Sequence, residues 1–303
     1  MKVSANHHVT NVMAMNPLSV TTIRSLLTQL TIMETFRGAV QNGVFQTARK
    51  KISDKCSFTQ NFKLHYWPRI MCFWFLISLI ITYSMSVGSM HAYKIFPYIS
   101  DTGTYPPESC IFGQLINLGT LLMVLNMYLR YRQVGLVSKL HDIECSKLNS
   151  SSMWCAMIGC LGLSIVANFQ KTNMRGIHFL GADMVLGGGV LYTILQTQIS
   201  YSFRNLETKP NHCGISIKTI ILRIIITILC VILFFILIFC GYASEKDYEG
   251  DLIWWTPNDS GYIPHIFATI SEWLIIILIS VFLLSYTNEF KSLSYVGIDI
   301  EIK

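Results

Sequence analysis

Six apolar runs, at roughly 70–90, 111–129, 153–169, 177–201, 219–243 and 263–286, dominate this chain. Each is long enough, as α-helix rising ~1.5 Å per residue, to cross a hydrocarbon layer ~30 Å thick. Lipid offers the backbone no hydrogen-bond partner, so only helices or a closed barrel can make that crossing. The alternating pattern of barrel strands is absent from all six runs, which excludes the barrel. The fold these runs predict is all-α: a polytopic six-helix transmembrane bundle. Composition agrees, because 52% hydrophobic residues with only 13% charged would be odd for a soluble domain. The connecting loops are too short to hold a second globular domain. The chain therefore divides into an N-terminal extension (1–68), a membrane domain (69–290) and a short tail (291–303).

Basic residues sort the loops into two sets. Nine of the 23 Lys and Arg lie at or before Arg69. Arg130, Arg132, Lys139 and Lys147 follow the second run, Arg204, Lys209 and Lys218 the fourth, and Lys291 and Lys303 the sixth. The opposite loops hold only Lys94, Lys171, Arg175 and Lys246. Basic loops stay in the cytosol, so both termini are expected there. Arg223, one turn inside the fifth run, is expected to snorkel outward. The formal charge of +6 is then a topological signature. No basic strip is interleaved with stacking aromatics, so nucleic acid is not an expected partner, whereas anionic membrane lipids are.

Residues 1–68 differ from the rest. Ile23, Leu27, Leu30, Met33, Val40 and Val44 recur at loose helical spacing in a Ser/Thr-rich stretch whose only acids are Glu34 and Asp54. This reads either as a cytosolic extension with an interfacial amphipathic segment or as an organelle presequence. The nine cysteines contain no C-x-x-C pair and no metal-ligand spacing. Cys56, Cys145 and Cys213 are expected to meet the reducing cytosol. Cys110 and Cys240 both map to non-cytosolic helix ends, where they are either a disulfide or two unrelated thiols.

Two of the non-cytosolic loops are long, acidic and aromatic: residues 91–110 and 244–262. Prolines 97, 106, 107 and 257 fix turns in them. Asp101-Thr-Gly103 reads as an Asx-type turn in which Gly103 supplies a positive φ. Tyr98, Trp254, Trp255 and Tyr262 suit a membrane-interface belt. Asn258-Asp-Ser260 matches a glycosylation acceptor close to the sixth run. Gly187, Gly188 and Gly189, with Gly159 and Gly162, are small enough to let neighbouring helices approach closely.

Asp183 and Glu272 stand deep inside apolar runs, roughly 9 Å and 13 Å from the outer ends at ~1.5 Å per residue. Carboxyls at such depth face a partner or a wet cavity. His265 precedes Glu272 by seven residues, which places it on the same helix face two turns above. With His178 at the start of the fourth run and Asn168 ending the third, these residues predict a buried polar cluster in the outer half of the bundle. Such a cluster is a structural hydrogen-bonded carboxyl, a pocket for lipid or a small ligand, or a reactive centre. The last lacks its usual parts: there is no H-E-x-x-H, no G-x-S-x-G and no phosphate-cradling glycine loop. No catalytic residue, cofactor or metal is expected.

From about Trp67 onward the sequence resembles the DNA damage-regulated autophagy modulator (DRAM) family of the wider Frag1/DRAM/Sfk1 group. Pro97-Tyr-Ile-Ser-Asp-Thr-Gly-Thr104, continuing through Glu108 and Cys110 to Gly113, is similar to the family's first-loop signature, which marks Pro97, Tyr98, Ser100, Asp101, Gly103 and Glu108. Tyr128-Leu-Arg-Tyr-Arg132 and Leu161-Gly-Leu-Ser-Ile-Val-Ala-Asn-Phe-Gln170 resemble its second- and third-helix motifs. His265 and Glu272 match family positions, whereas Asp183 and residues 1–66 do not. The resemblance implies a lysosomal or endosomal six-span protein that promotes autophagy, with links to stress-induced cell death and with lysosomal or autophagy membrane proteins as partners. Relatives in the wider group imply the alternative of GPI-anchor or phospholipid remodelling, and Golgi, ER or plasma membrane as other locations.

Overall fold

A computed structural model of the protein describes residues 63–206, 215–246, 248 and 250–293. Six helices follow in order: α1 (Trp67–Gly88), α2 (Glu108–His141), α3 (Ser146–Asn168), α4 (Arg175–Ser202), α5 (Ile217–Glu245) and α6 (Tyr262–Leu284). Each is long and apolar enough to cross a membrane, and no strand occurs among the described residues. The six-helix expectation therefore holds. The reading of residues 1–62, of most of the tail, and of Cys56 and Cys213 falls outside the described residues.

The helices pack in a ring in chain order: α1 on α2, α2 on α3, α3 on α4, α4 on α5, α5 on α6, with α6 touching α1 and α4 lightly. The outer surface is apolar, as contact with lipid requires. On α5, for example, Phe235 is 65% and Phe239 75% exposed. The inner surface carries hydroxyls and amides instead. Along α1 the buried positions include Ser78, Thr82 and Ser86, at a spacing of four. Lipid tails are as apolar as leucine, so burying hydrocarbon gives no drive for helix association, and small or polar groups take over the interfaces. Ser78 and Thr82 each donate to the carbonyl four residues earlier, at 2.7 and 3.0 Å, which satisfies their hydroxyls inside the helix.

Helix α3 lies especially close to α4. A Cβ on Gly162 would stand 2.6 Å from the Gly181 carbonyl oxygen, and one on Gly188 would stand 3.0 Å from that of Cys155. The glycine expectation is thus met between α3 and α4 at Gly188 and Gly162, with Gly181 as an unforeseen partner, and also at Gly189, where a Cβ would stand 2.8 Å from Ile279 of α6.

Helix α2 overruns its expected end at 129 and continues to His141. At ~1.5 Å per residue its 34 residues extend well past a ~30 Å hydrocarbon layer. No proline interrupts residues 130–141, and the single Gly135 is tolerated within the helix. The stop is made by Asp142, in the left-handed region at φ 53°. Arg130, Arg132 and Lys139 are therefore helical residues rather than loop residues.

Candidate functional site

Two clusters of buried polar side chains close the ends of the bundle. The first lies where residues 97–104 fold inward. Ser100–Gly103 form a short 3-10 turn with Asp101, Thr102 and Gly103 buried. Tyr98 N–H donates to Asp101 Oδ2 at 3.2 Å, while Lys171 Nζ donates to Asp101 Oδ1 at 2.9 Å. Both charged side chains are almost wholly out of solvent, and the Lys171 ammonium sits 4.8 Å above the Tyr98 ring. Burial pushes the Asp101 carboxyl above the usual aspartate range even against the pull of Lys171, and it raises the Tyr98 phenol as well.

Helix α6 holds this loop at three points. Glu272 Oε2 accepts the Ile99 N–H at 2.9 Å, and Trp273 Nε1 donates to the Pro97 carbonyl at 2.9 Å. The His265 ring meets Tyr98 edge-on at 5.2 Å and stacks on Trp255 at 4.3 Å. Trp255 in turn stacks on Tyr248, so aromatic rings cover the cluster. Gly261, at φ 85°, lets the chain turn into α6; a Cβ there would run into the Ser244 backbone.

The predicted residues thus separate. His265 and Glu272 join Tyr98 and Asp101 in one cluster. His178 is buried, but its ring bonds to the Phe169 carbonyl at 2.7 Å across the short α3–α4 connection. Asn168 is exposed and bonds with Asn117, the two amides exchanging contacts at 3.2 and 3.3 Å. Asp183 lies on the exposed side of α4, away from the cluster. Glu108 caps a neighbouring contact, its Oε2 3.0 Å from His91 Nδ1. Gly103 does not have a positive φ, contrary to expectation. Glycine is needed there for space, since a Cβ would come within 2.6 Å of the Phe112 ring. Cys110 and Cys240 are both free thiols, Cys110 exposed and Cys240 half-buried, so the disulfide alternative is not realised. Lys171 escaped the sequence reading, which counted it only among the basic residues of the non-cytosolic loops.

The second cluster closes the opposite end, and sequence reasoning missed it. Glu289, in the 3-10 turn Glu289–Ser292 after α6, accepts from both Arg130 Nη1 and Arg223 Nη2. Arg130 also donates to Gln196 at 2.8 Å and to Gln133 at 2.7 Å. Arg223 donates to Ser200 at 2.8 Å and to Ser285 at 2.9 Å. Both guanidiniums lie over the Tyr286 ring, at 4.5 and 4.7 Å, and Tyr286 donates to the Tyr192 hydroxyl at 3.1 Å. Arg223 therefore does not snorkel outward. It turns into the bundle because Glu289 offers a counter-charge there and lipid offers none. The available signal was a pair of arginines bordering apolar runs on the same side as a lone acid just past the sixth run.

Among the described residues no group of His, Cys, Asp and Glu could hold a metal ion. What the two clusters do chemically is tie loops and helix ends together across the bundle.

A six-helix membrane bundle with a loop-and-carboxyl plug at one end and an Arg–Glu–Arg plug at the other is the class of protein that this fold defines. The family model for the Frag1/DRAM/Sfk1/Cwh43P N-terminal domain matches residues 63–293, and the chain belongs to that family. It is 34% identical over 235 residues to DNA damage-regulated autophagy modulator protein 2 of Homo sapiens, covering 76% of this chain and 85% of the relative. Against DNA damage-regulated autophagy modulator protein 1 of Homo sapiens it is 32% identical over 227 residues, covering 75% and 91%. The modulator of macroautophagy TMEM150B-B of Xenopus laevis is 38% identical over 166 residues, covering 54% of this chain and 66% of the relative. No solved structure gives a significant match.

Proposed function

We propose that this chain is a multi-pass membrane regulator of autophagy, acting at the lysosomal membrane without catalysing a reaction of its own. The observation that carries the reading is the breadth of the likeness. Relatives named as autophagy modulators align over 85–91% of their own lengths and about three quarters of this chain. The polar clusters support a non-catalytic role, because the charges of Asp101, Lys171, Arg130, Arg223 and Glu289 are paired with one another inside the bundle. Both termini face the cytosol in this proposal, on the basic-loop argument. The plug around Asp101 then faces the lumen, and the Arg–Glu–Arg plug faces the cytosol. Membrane lipids and lysosomal or autophagy membrane proteins are the partners it would meet there.

The test is a knockout with rescue. Autophagic flux is measured under starvation while a tagged copy is imaged against lysosomal, Golgi, ER and plasma-membrane markers. Reduced flux, restored by a copy that coincides with the lysosomal marker, is the expected result. Normal flux in the knockout would end the proposal, and a Golgi or plasma-membrane pattern would remove its lysosomal part.

A further inference from the structure

A groove of about 760 Å³ opens on the outside of the bundle, between α1 and the end of α6. The two helices touch only lightly, so the ring has a seam there. Ile70, Phe73 and Leu76 of α1, with Leu284 of α6, make its apolar walls, and all four are exposed. On α1 the groove reaches from Arg69 to Leu76, about 10 Å at 1.5 Å per residue. Half of a ~30 Å hydrocarbon layer is ~15 Å, so the groove spans the outer two thirds of one leaflet. That leaflet borders the Arg–Glu–Arg plug, because Thr287 and Asn288, which directly precede Glu289, form the rim.

Size and depth suit a phospholipid. An apolar hole of roughly 150 Å³ takes one benzene ring, so 760 Å³ takes roughly thirty carbon-sized atoms. That is room for a glycerol phosphate and the first carbons of two acyl chains. The remainder of each chain continues into the leaflet through the open side.

Charge at the rim selects among phospholipids. Arg69 lines the polar end of the groove and is exposed, its guanidinium 5.7 Å from the centre of the Tyr66 ring. The turn Leu64–Tyr66 packs against the turn Glu289–Ser292, which brings Lys63 and Lys291 to the same end. The charges of Arg69, Lys291 and Lys63 all act on the His65 ring. Among the described residues none of these three cations is paired with a carboxylate. Glu289, the acid of that turn, is buried and shared by Arg130 and Arg223, so the plug itself carries one positive charge in excess. A guanidinium matches phosphate with two parallel N–H donors, and the exposed Asn288 amide on the rim adds another. Unpaired cations favour a head with net negative charge over a zwitterionic one, whose own cation they repel.

We infer that the groove is a binding site for one anionic glycerophospholipid of that leaflet, its phosphate on Arg69 and Asn288 and its upper acyl chains along Phe73 and Leu76. The site is more than the general attraction of basic loops for anionic membranes, because one groove and its three cations carry it. It does not rest on a role in autophagy.

The experiment uses the full chain in phosphatidylcholine nanodiscs that hold a small amount of one photoprobe, phosphatidic acid or phosphatidylcholine, with a diazirine in the upper acyl chain. Labelled residues are mapped by mass spectrometry and scaled to Phe235, on the far lipid-facing side of α5. Phosphatidic acid is expected to mark Phe73, Leu76 and Leu284 at least about five-fold more than phosphatidylcholine does, the preference that one basic residue confers at a membrane surface. Excess unlabelled phosphatidic acid should remove those marks, and inorganic phosphate at the same concentration should not, because it lacks the chains. The triple variant Lys63→Gln, Arg69→Gln, Lys291→Gln, altered at exposed positions only, should label equally with the two probes. The double variant Arg132→Gln, Lys139→Gln removes exposed basic residues of the same end outside the groove and should keep the preference. Equal labelling by the two probes in the wild type, or an equal loss of preference in the double variant, overturns the site in favour of a general basic rim. Displacement by inorganic phosphate overturns the lipid as its occupant. Groove residues marked by neither probe would mean that a second copy or residues 1–62 cover them, which overturns it as well. The wild-type comparison and its competition decide the matter even where a variant fails to fold.

Discussion

Arg223 of α5 and Glu289 beyond α6 form an ion pair in which both side chains are 0% exposed, at the border of a bundle whose outer surface is hydrocarbon. Glu289 bonds Arg130 of α2 with its other oxygen. One carboxylate thereby ties α2, α5 and the end of α6 together, and Gln196 and Ser200 bring in α4.

Removing that carboxylate leaves two arginines facing each other without a counter-charge. Breaking a buried ion pair from one side costs about 3–5 kcal/mol. Glu289→Ala is therefore expected to melt well below the wild type in detergent micelles, or to fail to accumulate as a monodisperse species by fluorescence-detected gel filtration. Glu289→Gln keeps the shape and one acceptor and should fall between them. A Glu289→Ala protein with wild-type melting would show that the arginines find other partners and that the plug contributes little.

How far this was visible beforehand differs between the two ends of the molecule. The six crossings are legible because bilayer thickness dictates their length and lipid dictates their apolarity. The true end of α2 is not, because past the membrane edge neither constraint applies and Asp142 alone makes the stop. Glu272 and His265 stand out as polar residues in apolar runs, and both reach the first loop. Asp183 stands out for the same reason, yet its position on α4 faces outward; sequence depth gives distance along a helix, not which way the helix is turned. Lys171 and Glu289 sit just outside their runs, where a charge is ordinarily solvated. Their burial comes from how loop 97–104 and the turn after α6 fold back, and no local spacing records that.

The pair between Asp101 and Lys171 makes a second prediction. Lys171→Met alone strands a buried carboxyl, and Asp101→Asn alone strands a buried ammonium, so each is expected to destabilise by about 3–5 kcal/mol. The double variant removes both charges and should recover most of that loss. A double-mutant cycle from thermal melting in micelles measures the coupling. Strict additivity of the two single losses would show that the contact does not bear on stability.

Acidification tests the same loop from another direction. Burial holds the Asp101 carboxyl above its ordinary value of 3.8, so between 3.8 and its folded value the native state binds more protons than the unfolded chain. Stability contributed by this group is then present at low pH and lost as pH rises through the raised value. Moving from neutral to mildly acidic pH should therefore not melt the loop on account of Asp101. In Asp101→Asn this contribution is gone, and the variant's melting temperature should gain less on acidification than the wild type's. A wild type that instead loses stability relative to Asp101→Asn as pH falls would mean the Lys171 pairing outweighs burial.

Glycine spacing between α3 and α4 gives the sharpest contrast between near neighbours. A Cβ on Gly162 would press against Gly181 O at 2.6 Å, Met184 Cβ at 2.7 Å and Val185 N at 2.8 Å. Two of those atoms are backbone and cannot swing aside, so the helices must separate. Overpacking of this kind costs about 1–3 kcal/mol. On Gly159, one turn earlier, the nearest atom would stand 3.7 Å away, which is ordinary contact. Gly162→Ala is therefore expected to lower the melting temperature clearly, while Gly159→Ala should leave it unchanged or raise it, because alanine also favours the helix by about 1 kcal/mol. Equal behaviour of the two variants would mean that α3 and α4 are not pressed together at Gly162 and Gly181.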